Sequence, residues 1–242
     1  SFVLNYSKIL KVKITIAKLI YYFIKLVKKE ELITFKKRNI IWTVRINDIV
    51  GLSVFLTGGF QNKKFNQFLK IDPNIEVFID VGANIGSHTI NTFNILKKLS
   101  SVYSIEPDQE NFNILNQNIL NNNLDDKVKV FHAYLGESIN EDSSSRYPLV
   151  SSQQITNEYN GIPGIFNSAS SFNLKNLNEI KEHQRCALKI DVDGNELVVL
   201  NSLFEFLKYN KPNILVEINK DLLEVKELKK TMYIPKHIKI NI

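Results

Sequence analysis

The sequence predicts an α/β fold built on a mostly parallel sheet flanked by helices, and three observations predict it. From Val77 onward short apolar runs alternate with longer stretches of helical period, the pattern of βα units. The first run, Val77 to Val81, passes directly into a turn flanked by Gly82 and Gly86 that opens a helix. The chain has 242 residues, 44% of them hydrophobic and 23% charged, which suits one globular core and excludes disorder and collagen. Its single cysteine, Cys186, excludes a disulfide framework and a cysteine-rich zinc site, so a reducing, cytoplasmic setting is expected.

The first 47 residues read as an extension and residues 48–242 as the main domain. Before Asn47 eleven Lys and Arg stand against Glu30 and Glu31, whereas the rest of the chain sets 20 Lys and Arg against 23 Asp and Glu. Any anionic partner should therefore meet the N-terminal segment. From Tyr6 to Lys29, Ile9, Val12, Ile16, Ile20, Phe23 and Val27 recur at helical spacing. Lys13, Lys18 and Lys25 interrupt the roughly 18 to 20 apolar residues that a membrane span needs, and no small-residue cleavage site follows. Two readings stand: a helix packed on the domain with its lysines solvated, or a peripheral contact of residues 6–29 with anionic membrane at its inner face, Tyr21, Tyr22 and Phe23 lying at headgroup level. A hairpin follows, Leu32 to Phe35 and Ile40 to Ile46 around Lys36-Lys37-Arg38-Asn39. Asn47-Asp48 can cap a helix from Ile49 to Leu56, which Gly58-Gly59 ends.

In the core, Val77 to Val81 is a buried strand and Ser87 to Leu99 a helix. Ser101 to Ile105 is the second strand, running into Glu106-Pro107, and Asp108 caps a helix through Asn122 with Phe112, Leu115 and Ile119 on its apolar face. Val128 to Tyr134 is a third strand. A polar excursion from Glu137 to Leu174, of a length that is usually either functional, as in acceptor-binding insertions, or disordered, leads to a short helix near Leu177 to His183. Then come the strand Ala187 to Asp191, a helix Gly194 to Lys208, a strand Ile214 to Ile218, a helix Asp221 to Lys230 and a last strand Lys236 to Ile242. Trp42 and the phenylalanines read as core, Cys186 as a small buried apolar residue, and Glu110 and Glu196 as solvent-facing.

Gly82 and Gly86 let backbone approach a ligand closely, and the free amides of the following helix face the same place. Glu106 ends the second strand, 26 residues after Asp80, where its carboxylate can accept hydrogen bonds from both ribose hydroxyls of an adenosine-like ligand. A dinucleotide fingerprint requires Gly-x-Gly-x-x-Gly, but here Ala83 and Asn84 stand between glycines four apart. Asp80 would oppose a pyrophosphate and attract an amino or sulfonium group. S-adenosylmethionine fits these residues better than NAD.

Val77-Phe-Ile-Asp-Val-Gly-Ala-Asn-Ile-Gly-Ser-His-Thr89, Glu106-Pro107, Lys189-Ile-Asp-Val-Asp-Gly-Asn-Glu196 and Leu215-Val-Glu217 resemble the ordered signature of the FkbM-type methyltransferases, over roughly Asp48 to Ile218. Asp193 stands where that family more often has Glu. The resemblance implies a class I, Rossmann-like S-adenosylmethionine-dependent methyltransferase that O-methylates a sugar, a glycan precursor or a glycosylated natural product. It implies that Asp80, Gly82, Ala83, Asn84, Gly86 and Thr89 surround the methionine end and that Glu106, followed by Pro107, holds the ribose.

Methyl transfer needs the acceptor aligned and its proton removed. Ligands of an open parallel sheet lie beyond the carboxyl ends of the strands, which puts Asp80, Glu106, Asp191 and Glu217 along one rim. Asp191 is the first candidate for acceptor positioning or general base, against a reading as a helix cap; Glu217 is the second carboxylate on that rim. Lys189, two residues before Asp191 on the same strand side, either holds an anionic acceptor or pairs with Asp191, and the pairing is favoured. His88 and His132 flank the cofactor turn and the third strand end, with a structural role favoured over a base. The clustered carboxylates could share Mg²⁺ through oxygen ligands; this cofactor is possible but not favoured, and no residue is assigned as a metal ligand. The expected acceptor is a small molecule or glycan. A nucleic-acid acceptor is disfavoured because the basic charge sits on one segment and the Asp/Asn-Pro-Pro-aromatic motif is absent. A non-catalytic module of the same fold, docked at a membrane, is the alternative of a different class.

Overall fold

A computed structural model describes residues 32–60, 62–135, 169–181, 184–192, 195–217 and 238–241. These fall into two compact units, residues 32–60 in one and the remainder in the other. The expected helix from Tyr6 to Lys29, nearly all of the polar excursion after Glu137, Asp193, and the helix Asp221 to Lys230 lie outside the described residues.

In the first unit β1 (Leu32–Lys37) and β2 (Ile40–Arg45) pair antiparallel from Leu32↔Arg45 to Lys37↔Ile40. The turn is only Arg38-Asn39, with φ of 52° and 64°, so β1 runs two residues past the expected Phe35. A two-residue turn with both φ positive matches the twist of paired strands, and Asn tolerates that region. Ile33, Ile40, Trp42 and Val44 fill the buried face. α1 (Ile49–Thr57) starts as the sequence predicts: Val50 N donates to Asp48 Oδ1 at 2.8 Å, and Gly58 ends the helix at φ 80°. Lys37 Nζ donates to the carbonyls of Phe55 and Leu56 at 2.6 and 2.7 Å, satisfying acceptors that the helix end leaves open.

The second unit holds α2 (Asn62–Leu69), β3 (Val77–Val81), α3 (Ser87–Ile95), β4 (Ser101–Glu106), α4 (Gln109–Asn121), β5 (Val128–Tyr134), β6 (Ser170–Ser171), β7 (Cys186–Ile190), α5 (Glu196–Ser202), α6 (Phe204–Asn210), β8 (Asn213–Glu217) and β9 (Ile238–Asn241). The strands form one sheet in the order β6-β5-β4-β3-β7-β8-β9, every pair parallel. Every residue of β3 and β7 is buried, as helices on both faces require. The chain winds outward in one direction from β3 and in the other from β7, so the sheet has its topological switch point between these two strands.

Several boundaries differ from the sequence reading for packing reasons. α3 ends at Ile95 because Leu96 turns extended (φ −96°, ψ 113°), and Leu96 and Leu99 are then both buried. A helix is expected near Leu177 to His183; a short 3₁₀ turn spans Leu174–Leu177, started by Lys175 N donating to Asn173 Oδ1 at 2.9 Å, residues 178–181 are not helical, and residues 182 and 183 lie outside the described residues. The expected helix Gly194 to Lys208 is broken at Leu203, which is fully buried at the junction of α5 and α6. Glu196 is 1% exposed, not solvent-facing, because it shares a face of α5 with Val199 and Leu200, three and four positions on, which are both in the buried core. Phe204 opens α6 on its outer side and is 56% exposed, not core. Trp42 and Cys186 are buried as expected, and Glu110 is exposed. No helix among the described residues is long and apolar enough to cross a membrane.

Candidate functional site

The turn between β3 and α3 is held in shape by the backbone of its neighbours. Gly82 N and Ala83 N donate to Ile105 O of β4 at 3.0 and 3.1 Å, and Gly86 N closes the turn on Ala83 O at 2.9 Å. Gly82 has φ 76°, and a Cβ there would stand 1.9 Å from the Asp191 carbonyl oxygen, so only glycine lets the two loops meet. Gly86 has φ 86° and its missing Cβ leaves room for Leu115. Asn84 takes φ 50°, which Asn bears better than most residues, and its Oδ1 accepts from Ile85 N at 2.8 Å. From α4, Asn118 Nδ2 donates to Ile85 O at 2.9 Å and anchors the turn from beneath.

That conformation aims Asn84 N at Glu106. Glu106 Oε2 accepts from Asn84 N at 2.7 Å and Oε1 from Asp108 N at 2.9 Å. Glu106 is 5% exposed, and burial pushes its carboxyl up to about 7 despite these two amides, the Asp108 charge adding to the rise and Lys189 opposing it. Each carboxylate oxygen can accept more than one hydrogen bond, so both keep capacity for hydroxyl donors. Pro107 is half-buried; its carbonyl lies 3.1 Å from His132 Nε2, and Phe112 tilts against the His132 ring with centroids 5.0 Å apart.

A second cluster fills the switch point. Asp80 on β3 and Lys189 on β7 are register partners, as are Asp80 and Ser104 on β4. Thr89 Oγ1 donates to Asp80 Oδ2 at 2.7 Å and lies 2.9 Å from Ser104 Oγ. Lys189 Nζ donates to Asp80 Oδ1 at 3.2 Å and to Gly82 O at 3.0 Å, and sits 3.4 Å from Asp191 Oδ2. Burial alone would push the Lys189 ammonium down; the charges of Asp80 and Asp191 outweigh it and hold it above its ordinary value.

Asp80 and Thr89 are fully enclosed, and Lys189 is 3% exposed; the Asp191 side chain, at 28%, is the member of this cluster that reaches the surface. Asp80 thus stands behind the turn, not on an open rim, and Lys189 pairs inward with both aspartates without presenting its charge to an acceptor. Asp191 is tied in by its own N–H, which donates to Val81 O at 3.1 Å. It does not cap α5, where Asn195 holds the N-cap position. The structure brings Asp80, Gly82, Thr89, Lys189 and Asp191 into one cluster and Asn84, Glu106 and the Pro107-Asp108 backbone into another. Glu217, half-buried, ends β8 one strand beyond β7. His88 is enclosed, its ring stacked on Phe65 with centroids 4.2 Å apart.

Ser104, Asn118 and the Asp108 amide belong to the site and escaped the sequence reading. The signal for Ser104 is one hydroxyl inside the apolar run Val102 to Ile105, and for Asn118 an amide on the apolar face of α4 beside Leu115 and Ile119. Among the described residues no group of three or more His, Cys, Asp or Glu side chains is placed to hold a metal ion.

A family model described as Methyltransferase FkbM domain matches residues 80–235. Similar solved structures include the methyltransferase FkbM from Methylobacillus flagellatus KT, at 20% identity and a TM-score of 0.39 over 58% of this chain and 32% of that one. TrmK from M. capricolum in complex with S-adenosyl-homocysteine shares 16% identity at a TM-score of 0.39, covering 69% of this chain and 55% of that one. TYW2 from M. jannaschii in complex with AdoMet shares 24% identity at a TM-score of 0.33, covering 43% of each chain. The chain therefore spans well under two thirds of the length of each of these structures. No curated protein matches it.

Proposed function

The chain belongs to the FkbM methyltransferase family, whose model covers residues 80–235, and from that premise we propose that it transfers a methyl group from S-adenosylmethionine to a hydroxyl of a sugar, glycan precursor or glycosylated natural product. The observation that carries the reading is the pairing of a glycine-flanked turn with a buried carboxylate at the adjacent strand end, Asn84 N on Glu106 Oε2 at 2.7 Å. Glu106 would accept the two ribose hydroxyls with the lone pairs that Asn84 and Asp108 leave open, beside Pro107. Gly82, Ala83, Asn84 and Gly86 would line the methionine end, with Asp80 and Thr89 fixing the turn from behind. Two carboxylates share one ammonium at the switch point, and the excess negative charge suits a cationic ligand.

S-adenosylmethionine supplies an electrophilic methyl group on a sulfonium: the acceptor oxygen bonds to that carbon as the carbon–sulfur bond breaks, leaving S-adenosylhomocysteine and one proton. Asp191 is the carboxylate on the open side of the cluster, and we assign it the acceptor hydroxyl and its proton; Glu217 at the next strand end would orient the same acceptor. Carboxylates accept from neutral sugar hydroxyls and repel phosphates, which favours a glycan over a nucleic-acid acceptor.

Thermal unfolding with S-adenosylmethionine, S-adenosylhomocysteine, NAD or no ligand tests the first part. Selective binding at a hundredfold excess over Kd stabilises by about 2.7 kcal/mol, roughly 5–11 °C for a domain of this size. A shift with the two sulfur nucleosides alone supports the reading, and no shift with either refutes it. S-adenosylhomocysteine release in the presence of neutral sugars, with bulk tRNA as the second arm, tests the acceptor; release with tRNA alone would replace the sugar by a nucleic acid.

A further inference from the structure

The sheet reverses its winding between β3 and β7, and one side chain spans that seam. Lys189 is 3% exposed, yet its ammonium meets three oxygens on three different segments: Asp80 Oδ1 on β3 at 3.2 Å, Gly82 O in the turn at 3.0 Å, and Asp191 Oδ2 beyond β7 at 3.4 Å. We propose that Lys189 is a positioning residue for methyl transfer: beneath the site, it holds the cofactor turn and the Asp191 carboxylate in fixed relation without touching either reactant. This rests on the methyltransferase reading above.

The two loops already meet backbone to backbone, through Asp191 N on Val81 O at 3.1 Å and through the absent Cβ of Gly82. What that contact leaves open is the Gly82 carbonyl, which has left the β3 ladder and needs a donor. Lys189 supplies it, with a compact head whose three N–H groups can point three ways where a planar guanidinium could not. Asp80 extends the brace to α3, because its second oxygen accepts from Thr89 Oγ1 at 2.7 Å. Stability alone is a weak account of such a cluster, since buried ion pairs can often be replaced by apolar groups of similar volume without loss. The residue that gains from it is Asp191, whose carboxylate is held at one end by Lys189 and exposed at the other.

The test removes the charges in pairs. Lys189→Met alone would leave Asp80 buried without compensation, so the informative protein is Asp80→Asn/Lys189→Met, expected to melt within a few degrees of the native chain. Amide hydrogen exchange is then followed in residues 81–86 and 190–192, and S-adenosylhomocysteine affinity by calorimetry. The expected result is faster exchange in both segments with affinity about tenfold weaker. A well-folded double variant with native exchange and affinity within about twofold of native would overturn the proposal and leave Lys189 a stabilising residue only. If the double variant does not fold, Lys189→Arg, which keeps the charge beside Asp80 but whose planar head does not meet all three oxygens in the same way, is read in its place. Should the native chain bind no S-adenosylhomocysteine, the methyltransferase reading fails, and the exchange measurement alone decides whether Lys189 holds the turn.

Discussion

Lowering the pH from 8 to 6 should release a bound adenosine-like ligand through the protonation of one carboxyl group. Glu106 is 5% exposed, and burial raises it from 4.5 to about 7. Ribose hydroxyls can donate to the ionised carboxylate through the lone pairs that Asn84 N and Asp108 N leave open, whereas protonation places a hydrogen on one of those positions. With a value of about 7, about a tenth of the sites are ionised at pH 6 and about nine tenths at pH 8, so Kd should rise about tenfold on acidification. The assay is calorimetry with 5′-methylthioadenosine, which has no group of its own titrating in this window. Folding stability runs the other way. Because the folded-state value is the higher one, Glu106 contributes fully below its ordinary 4.5 and that contribution is lost as the pH rises through about 7, at most about 3 kcal/mol in all. Glu106→Gln should abolish the pH dependence of binding. Affinity independent of pH across this range, or an equal slope in the Gln variant, would refute the assignment of Glu106 as the ribose acceptor.

Gly82→Ala should destabilise the fold by more than the roughly 1–3 kcal/mol of a strained backbone conformation, because a Cβ 1.9 Å from the Asp191 carbonyl oxygen meets backbone and not a movable side chain; a melting temperature equal to the native one would refute the close approach of the two loops. Burial, aided by the Glu76 charge, pushes the Cys186 thiol up to about 12, so a disulfide reagent at pH 8 should leave it unmodified in the native chain and titrate it in denaturant. Rapid reaction of the native thiol would place Cys186 outside the core.

The local grammar of the fold was legible from the chain. Val77–Val81 and Val128–Tyr134 are the strands the apolar runs predict, and Asp48 and Asp108 cap helices through the backbone amides two or three residues ahead. These features depend on neighbours within a few positions, which is why a linear reading finds them. Helix ends were less legible: Leu96 and Leu203 interrupt their helices at buried positions, and Leu203 does so within a core cluster that remote strands complete.

The same division runs through the site. Order along the chain was enough to nominate candidate residues for a sulfonium nucleoside, since glycine spacing, the acidic end of the second strand and the family signature are all properties of order. Where each of them sits, how deeply it is buried and which groups it meets follow from the folded sheet. Lys189 and Asp80 are 109 positions apart, and their charges, a candidate acceptor-binding group and a candidate cofactor contact in the sequence, neutralise each other behind the turn once β3 and β7 lie side by side. Glu106, one more acidic residue at a strand end, acquires a value of about 7 only when β4 is covered on both sides and water is excluded from it. Burial and charge pairing are set by contacts between remote segments, and those contacts exist only in the folded sheet.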